Sequence, residues 1–378
     1  MYTSYMSERG MPSAREVFEE SGNLPEFLQE INVLPERVMR FDEAMLYGPY
    51  GMYAVSACTG GLNNKLFKVS FEHPDEPPLM AKFYSYFDTG NMPAQGRLSR
   101  EFRGLRFLDS EGVEGVPRAR ARDYKAFFGI YSFEEGITKS PVELSDVDVV
   151  RFVDFMVGLQ RFGEHAMVGV TAPYTRQDFR DYLRATKKRF SHVQQTLNGY
   201  GDESLQLLNQ NDMLSRIGEH MTDTEAELKW AKPEPLERTF CHRDLGTHNA
   251  LFLPPSPERP DGVLKILDFE YCGLDDPIYD LVTFLCHNQM AGLSQENYRL
   301  AIDHFCRTSQ LPTEALERIP RCIRAVQLEW IALSVQSLEP GRLIGQHYRD
   351  RNFDQQEFAK LQVRLIEQRL AWIDQTTP

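Results

Sequence analysis

Within Phe240-Cys241-His242-Arg243-Asp244-Leu245-Gly246-Thr247-His248-Asn249, a histidine is followed two positions later by an aspartate, and that aspartate five positions later by an asparagine. A second aspartate follows at the end of the apolar run Leu264-Lys265-Ile266-Leu267-Asp268, ahead of Phe269-Glu270-Tyr271. These residue types at this spacing suit phosphoryl transfer. One carboxylate accepts or orients the proton of an attacking hydroxyl, while an amide oxygen and a second carboxylate hold Mg²⁺ on nucleotide phosphates. With each residue type near one in twenty, about 0.05 chance occurrences of His-x-Asp-x₄-Asn are expected in a chain this long. The ordered context therefore has to decide. Lys82 near the end of a strand, Glu101 on the following helix and Asp268 after the loop stand in the order that such chemistry requires.

The elements that must position these residues are legible as two patterns. Tyr53-Ala54-Val55, Lys65 to Val69 and Leu79 to Tyr84 are short runs separated by Gly-Gly-Leu-Asn-Asn and His-Pro-Asp-Glu-Pro-Pro, which predicts a β meander. A helix is predicted from about Ser99 to Leu108, with Glu101, Leu105 and Leu108 on one face. Ala126 to Phe133 reads as a further strand, running into Glu134-Glu135-Gly136. From about Glu143 the period becomes helical: Val147, Val150 and Val157 fit a buried helix. Phe179, Leu183, Phe190, Val193 and Leu197 fit an amphipathic one entered through Thr175-x-x-Asp178. A hairpin with a proline-rich loop is predicted over Asn249 to Leu253 and Val263 to Phe269, interrupting the helical half. Helices return near 320–338 and 356–374, the last with Phe358, Leu361, Leu365 and Ile373 on one stripe. The expected organisation is an N-terminal unit of residues 1–136, including an extension over 1–45, and a helical unit of residues 137–378.

Lys82 alone reads as an ordinary edge lysine, but Met80-Ala81-Lys82-Phe83-Tyr84 puts its ammonium on the face opposite Ala81 and Phe83, with Glu101 available as its partner. Thr59-Gly60-Gly61-Leu62-Asn63-Asn64 joins two strands upstream of Lys82, where backbone N–H groups can approach phosphates; a plain hairpin turn reads equally well. No Walker A sequence, HExxH, GxSxG or Cys/His metal spacing occurs. His242 reads as a residue that orders the loop, and His248 as a loop residue rather than a substrate contact. Against 42 basic residues stand 55 acidic ones, a net charge of −13, which is the wrong sign for binding phosphate backbones, so no nucleic-acid partner is expected. The first twenty residues carry no apolar stretch of secretory type, and no run of 18 apolar residues occurs. No membrane partner and a cytoplasmic location are expected. The six cysteines show no CxxC spacing and read as reduced, mostly buried thiols.

These motifs resemble the aminoglycoside phosphotransferase and choline kinase superfamily, which shares the protein-kinase-like fold. The likeness spans Gly60 to about Trp330. Cys241 to Asn249, Leu267-Asp268-Phe269-Glu270-Tyr271 and Asp275-Asp276-Pro277-Ile278-Tyr279-Asp280-Leu281 are especially similar to the choline and ethanolamine kinase branch. The resemblance implies an α+β two-lobe fold, with a small antiparallel β lobe bearing one main helix and a larger helical lobe. It also implies ATP and Mg²⁺ as cofactors and transfer of the γ-phosphoryl group to a hydroxyl of a small molecule.

By the same resemblance Asp244 is the catalytic base and Asn249 and Asp268 are the Mg²⁺ ligands. Lys82, paired with Glu101, anchors the nucleotide phosphates under Gly60, Gly61 and Asn63. Phe133, Glu134 and Glu135 belong to the adenine hinge, His242 and Asp280 support the loop, and Glu270 and Trp330 lie on the acceptor side. Choline, ethanolamine, an amino-sugar antibiotic and a plain sugar alcohol all remain open as acceptors. Two contrasting readings are a nucleotide-binding pseudokinase acting as an interaction module and a protein Ser/Thr kinase. The retained base and metal ligands weigh against the first, and the lack of an Ala-Pro-Glu sequence after Asp280 weighs against the second.

Overall fold

The computed structural model describes residues 43–48, 51–58, 64–71, 77–84, 94–163, 176–197, 208, 212–230, 234, 236–257, 259, 262–339, 343 and 353–376. In chain order the elements are β1 (Glu43–Gly48), β2 (Gly51–Ala57), β3 (Asn64–Phe71), β4 (Leu79–Tyr84), α1 (Ala94–Ser110), β5 (Ala119–Asp123) and β6 (Phe128–Ser132). Then follow α2 (Asp146–Leu159), α3 (Arg180–Leu197), α4 (Met213–Trp230), β7 (Thr239–Cys241), β8 (Ala250–Leu253), β9 (Val263–Ile266) and β10 (Gly273–Asp275). Helices α5 (Pro277–Cys286), α6 (Gln295–Thr308), α7 (Thr313–Leu316), α8 (Ile319–Ser337) and α9 (Gln355–Thr376) complete the chain. The contacts divide it into two compact units: one runs up to Ile137 and takes in Ala250–Cys272, and the other comprises Thr138–Asn249 and Gly273–Pro378.

In the first unit the predicted meander forms an antiparallel sheet in the order β1-β2-β3-β4-β6-β5. Alternation along the strands puts Val55, Phe67, Val69, Ala81, Ala121, Phe128 and Ile130 into one core. Lys82 and Tyr84 therefore share the opposite face. Lys82 is registered against Gly129 on β6, and a Cβ there would collide with the Tyr131 hydroxyl, so the glycine leaves room for that ring. Helix α1 starts five residues earlier than its apolar stripe predicts, and its buried face runs Ala94, Arg97, Leu98, Glu101, Leu105, Leu108.

The β8–β9 hairpin, read from sequence as an interruption of the helical half, joins the first unit instead. Phe252 exchanges backbone hydrogen bonds with Ile137, and the Ile266 N–H donates to the Gly115 carbonyl at 2.8 Å. Gly115 has φ +75, and a Cβ on it would lie 2.8 Å from the Leu264 carbonyl, so only glycine lets this turn approach the hairpin.

The second unit is mainly helical, with the short pair β7–β10 inside it. Two of its helices depart from the predicted stripes, α2 over most of its face and α9 at Leu361. On α2, Val147 is 53% exposed, and Val149, Phe152, Val153, Met156 and Leu159 face the core. The capping box at Ser145, whose hydroxyl accepts from the Asp148 N–H, sets where the helix starts. The larger hydrophobes then define the buried stripe in place of the Val147, Val150, Val157 spacing. On α9, Leu361 is 44% exposed while Leu365 and Ile373 are buried with Ile366 and Leu370. At the start of α3, Asp178 accepts from the Arg180 N–H at 2.7 Å, while Thr175 lies outside the described residues. No described helix is long and apolar enough to cross a membrane.

The reassigned α2 face has a measurable consequence. Phe152→Ala should lower the unfolding free energy by about 3–5 kcal/mol, whereas Val147→Ser should change it by less than about 0.5 kcal/mol. Urea denaturation compares the two directly, and a larger loss at Val147 would restore the predicted face.

Candidate active site

In the first unit, Lys82 is 4% exposed and its ammonium is ringed by carboxylates. Glu101 Oε2 and Asp268 Oδ1 each lie 2.6 Å from Nζ, and Glu270 Oε2 lies at 3.4 Å. Burial by itself would lower the Lys82 pKa, but Asp268, Glu101 and Glu270 outweigh it and hold the group well above its ordinary value. Glu101 is fixed in turn by the Tyr84 hydroxyl, which meets the Tyr131 hydroxyl at 2.7 Å. Glu270 accepts from Asn64 Nδ2 at 2.7 Å and from Arg97 Nη1 at 3.2 Å. Burial, with Asp268 beside it, raises the Glu270 pKa.

The structure thus brings Lys82, Glu101 and Asp268 together. Glu270, read above as an acceptor contact, has its carboxylate inside this cluster at 1% exposure. Asp268 is the carboxylate of the set that reaches solvent, its side chain being 31% exposed, and it adopts the left-handed conformation at φ 64. Of the hinge residues, Phe133 donates its N–H to the Pro78 carbonyl at 3.2 Å. Glu134 binds Lys265 at 2.7 Å, and Glu135 is exposed. Gly60, Gly61 and Asn63 lie outside the described residues, as does the extension up to residue 42.

In the second unit the loop after β7 is gripped by a carboxylate. Asp280 accepts from the backbone N–H of His242 at 2.7 Å and from that of Arg243 at 2.6 Å. Burial raises the Asp280 pKa and these two bonds pull it back. Arg243 takes a left-handed φ of 71, and its Nε lies 2.7 Å from Asp275 Oδ2. That carboxylate also binds Arg176 at 2.9 Å. His242 is fully buried, and its Nδ1 accepts the Asp244 N–H at 3.2 Å.

The loop holds the Asp244 side chain half-buried. Asn249 Nδ2 donates to the Asp244 carbonyl at 2.9 Å and to its Oδ2 at 3.2 Å. His287 Nε2 lies 3.4 Å from Oδ1 and His248 Nε2 lies 3.8 Å from Oδ2. Burial would raise the Asp244 pKa, but the imidazoles of His248 and His287 beside it outweigh burial and hold it well below the ordinary carboxylate value, which favours the ionised form. Trp330 packs edge-on against His287 with centroids 4.5 Å apart.

These groups suit some cations better than others. In the second unit Asn249 turns its amide nitrogen toward Asp244, so the amide oxygen points away; in the first, separately, Asp268 offers a solvent-reaching carboxylate. Both are hard oxygen donors of the kind Mg²⁺ takes while keeping waters and phosphate oxygens. Asp244, His248 and His287 also carry ligand-type atoms within 4.8 Å of one another. The two imidazoles are stacked at an interplanar angle of 14°, so their in-plane lone pairs run side by side instead of converging on one ion. The set Glu101, Asp268, Glu270 already encloses the Lys82 ammonium.

Four groups at these centres escape a motif search. Arg97 left a trace, a basic residue one turn before Glu101 on an otherwise apolar face. His287 left another, seven residues beyond Asp280 and so on the same side of α5 as its C-cap. Asn64 and Tyr84 left none, because only sheet register brings them to Glu270 and Glu101. Lys82→Met would remove the ammonium that Glu101, Asp268 and Glu270 share and should cost about 3–5 kcal/mol of stability. Adding Glu101→Gln should restore part of that loss. A double-mutant cycle by chemical denaturation reads the coupling, and strictly additive losses would refute it.

Among solved structures, the fold is similar to an ethanolamine kinase from Plasmodium vivax, at 17% identity and a TM-score of 0.54, covering 83% of this chain and 82% of that one. It is also similar to the spectinomycin phosphotransferase APH(9)-Ia solved with ADP and spectinomycin, at 12% identity and a TM-score of 0.57, over 94% and 100% of the two chains. The aminoglycoside phosphotransferase APH(2'')-Ib, solved with ADP, is a third, at 14% identity and a TM-score of 0.53, over 90% and 98%. At these identities the likeness establishes the protein-kinase-like α+β fold. No curated protein matches the chain in sequence. The profile of the phosphotransferase enzyme family, APH, matches residues 57–313, more than half of the chain. With a buried lysine ringed by carboxylates in one unit and an ionised aspartate bound by an asparagine in the other, the chain belongs to that phosphotransferase enzyme family.

Proposed function

We propose that this protein transfers the γ-phosphoryl group of ATP to a hydroxyl of a small molecule in a Mg²⁺-dependent reaction. The observation that carries the reading is Asp244 itself. It is an ionised carboxylate on a loop whose backbone is pinned by Asp280, with Asn249 bonded to it. We read Asp244 as the group that receives or orients the proton of the acceptor hydroxyl. Lys82, kept cationic by Asp268, Glu101 and Glu270, is read as the anchor of the nucleotide phosphates. Asn249 and Asp268 would hold Mg²⁺, which when bound counters charge on the phosphates. Catalysis of this kind is mainly positioning and electrostatics. The segment from Phe133 to Glu135 is assigned to the adenine side, and Glu270 to the support of Lys82 instead of the acceptor.

The acceptor class is narrowed by Trp330. A quaternary ammonium needs open aromatic faces. Here one edge contact of Trp330 is taken by His287, and the Arg369 guanidinium carbon lies 5.7 Å from the centre of the Trp330 ring. A second cation at that ring would meet Arg369, which favours a hydroxyl acceptor without a permanent positive charge at that position. That fold neighbours are named as an ethanolamine kinase, a spectinomycin phosphotransferase and an aminoglycoside phosphotransferase supports small hydroxyl compounds as the class to test.

ADP release with Mg²⁺-ATP, across a panel of choline, ethanolamine, aminoglycosides, sugars and amino alcohols, tests the reading. At least one acceptor should stimulate release. Asp244→Asn should lower turnover by roughly 10²–10⁴-fold while nucleotide affinity, by calorimetry, stays near that of the parent protein. Normal turnover in Asp244→Asn overturns the assignment. Nucleotide binding with no acceptor-stimulated release favours the interaction-module reading.

A further inference from the structure

His287 lies at the end of α5, outside every motif, yet its ring beside Asp244 is held from several sides. Its Nδ1 accepts the Gln289 backbone N–H at 3.0 Å, so the neutral ring carries its hydrogen on Nε2, the atom 3.4 Å from Asp244 Oδ1. One face of the ring is covered by His248, with centroids 4.2 Å apart, and Trp330 meets it edge-on at 79°. The residues on either side are braced as well. Arg369 Nη2 donates to the Cys286 carbonyl and to Asn288 Oδ1 at 2.6 Å. The turn that follows is laced to the loop through Thr247, whose N–H donates to Met290 Sδ and whose hydroxyl donates to the Gln289 carbonyl, both at 3.3 Å. Burial lowers the His287 pKa, which keeps the ring in this neutral state.

We infer that His287 is a positioning residue for phosphoryl transfer. Its Nε2–H holds Asp244 Oδ1, so that Oδ2, shared with Asn249, is set for the acceptor hydroxyl. The separation of 3.4 Å is that of a contact which tightens when the reacting groups arrive. No metal takes part in this role, because the fixed tautomer puts a hydrogen where a ligand lone pair would be. The inference deepens the reading of Asp244 as the proton acceptor and rests on it.

Two near-isosteric replacements separate this role from a merely structural one. His287→Gln keeps a donor at the Nε2 position and loses the acceptor for Gln289. His287→Asn keeps an acceptor for the Gln289 N–H, being a good cap residue, and is too short to reach Asp244. With ADP release from Mg²⁺-ATP as the readout, with or without acceptor, His287→Asn should lower kcat about 10–100-fold, the loss of one bond to a charged group. The KM for ATP should change less than roughly threefold. His287→Gln should keep kcat within about fivefold of the parent enzyme. A structural role predicts the reverse order, with His287→Gln the worse enzyme and the less stable protein in thermal unfolding. That reversed order, equal losses in both variants, or full activity in His287→Asn each overturns the inference. Asp244→Asn run alongside keeps the two readings apart: an active Asp244→Asn defeats the base assignment itself, whereas an inactive one beside a fully active His287→Asn defeats only the role given to His287.

Discussion

Ionised side chains survive inside a protein only where opposite charges and hydrogen bonds replace the water they lose. That constraint shapes both units of this chain. In the first, Lys82 is carried on the face of β4 that turns away from the strand core, and its charge is met from three directions by α1, by the end of the β8–β9 hairpin and by the turn after it. Arg97 then answers Glu270, and Asn64 bonds to the same carboxylate. Two cations meet three carboxylates, and Asp268 is the member that reaches solvent.

The second unit obeys the same constraint with backbone dipoles in place of an ammonium. Two consecutive N–H groups, those of His242 and Arg243, converge on one buried carboxylate of α5. Arg243 can therefore occupy a left-handed conformation that costs a long side chain of order 1–3 kcal/mol, with Asp275 holding its guanidinium. The turn so enforced presents Asp244 and Asn249 to one another. Charge is again the organising quantity: Asp244 stays ionised because donors surround it, although burial opposes this. Rigidity of this kind is what an enzyme that works mainly by positioning requires.

Much of this was legible before any coordinates. Strands β2, β3 and β4 follow from short runs bounded by glycine and proline turns, and Lys82 falls inside β4 as its alternation predicts. Glu101 on the buried face of α1 was readable from its i, i+4, i+7 spacing with Leu105 and Leu108. The valine spacing on α2 misled because the capping box at Ser145 and the bulk of Phe152 and Met156 outweigh small hydrophobes in deciding which face turns inward. On α9, Leu361 misled because a single apolar residue on a polar face costs little when exposed. The hairpin over 250–266 was correctly drawn as an element, but its unit was decided by long-range hydrogen bonds to Ile137 and Gly115 that leave no local trace.

From the sequence alone came the identity of the chemistry-bearing residues, their order along the chain and the periodicity of the elements that carry them. These are local properties, written in residue type and spacing. Tertiary structure alone decided that Glu270 serves Lys82, that Asn64, Arg97 and Tyr84 complete that cluster, and that His287 with its stacked partner His248 stands against Asp244. Those relations depend on register, helix phase and packing between segments far apart in the chain. They are set by the requirement that every buried charge find its partner, which no short stretch of sequence can satisfy by itself.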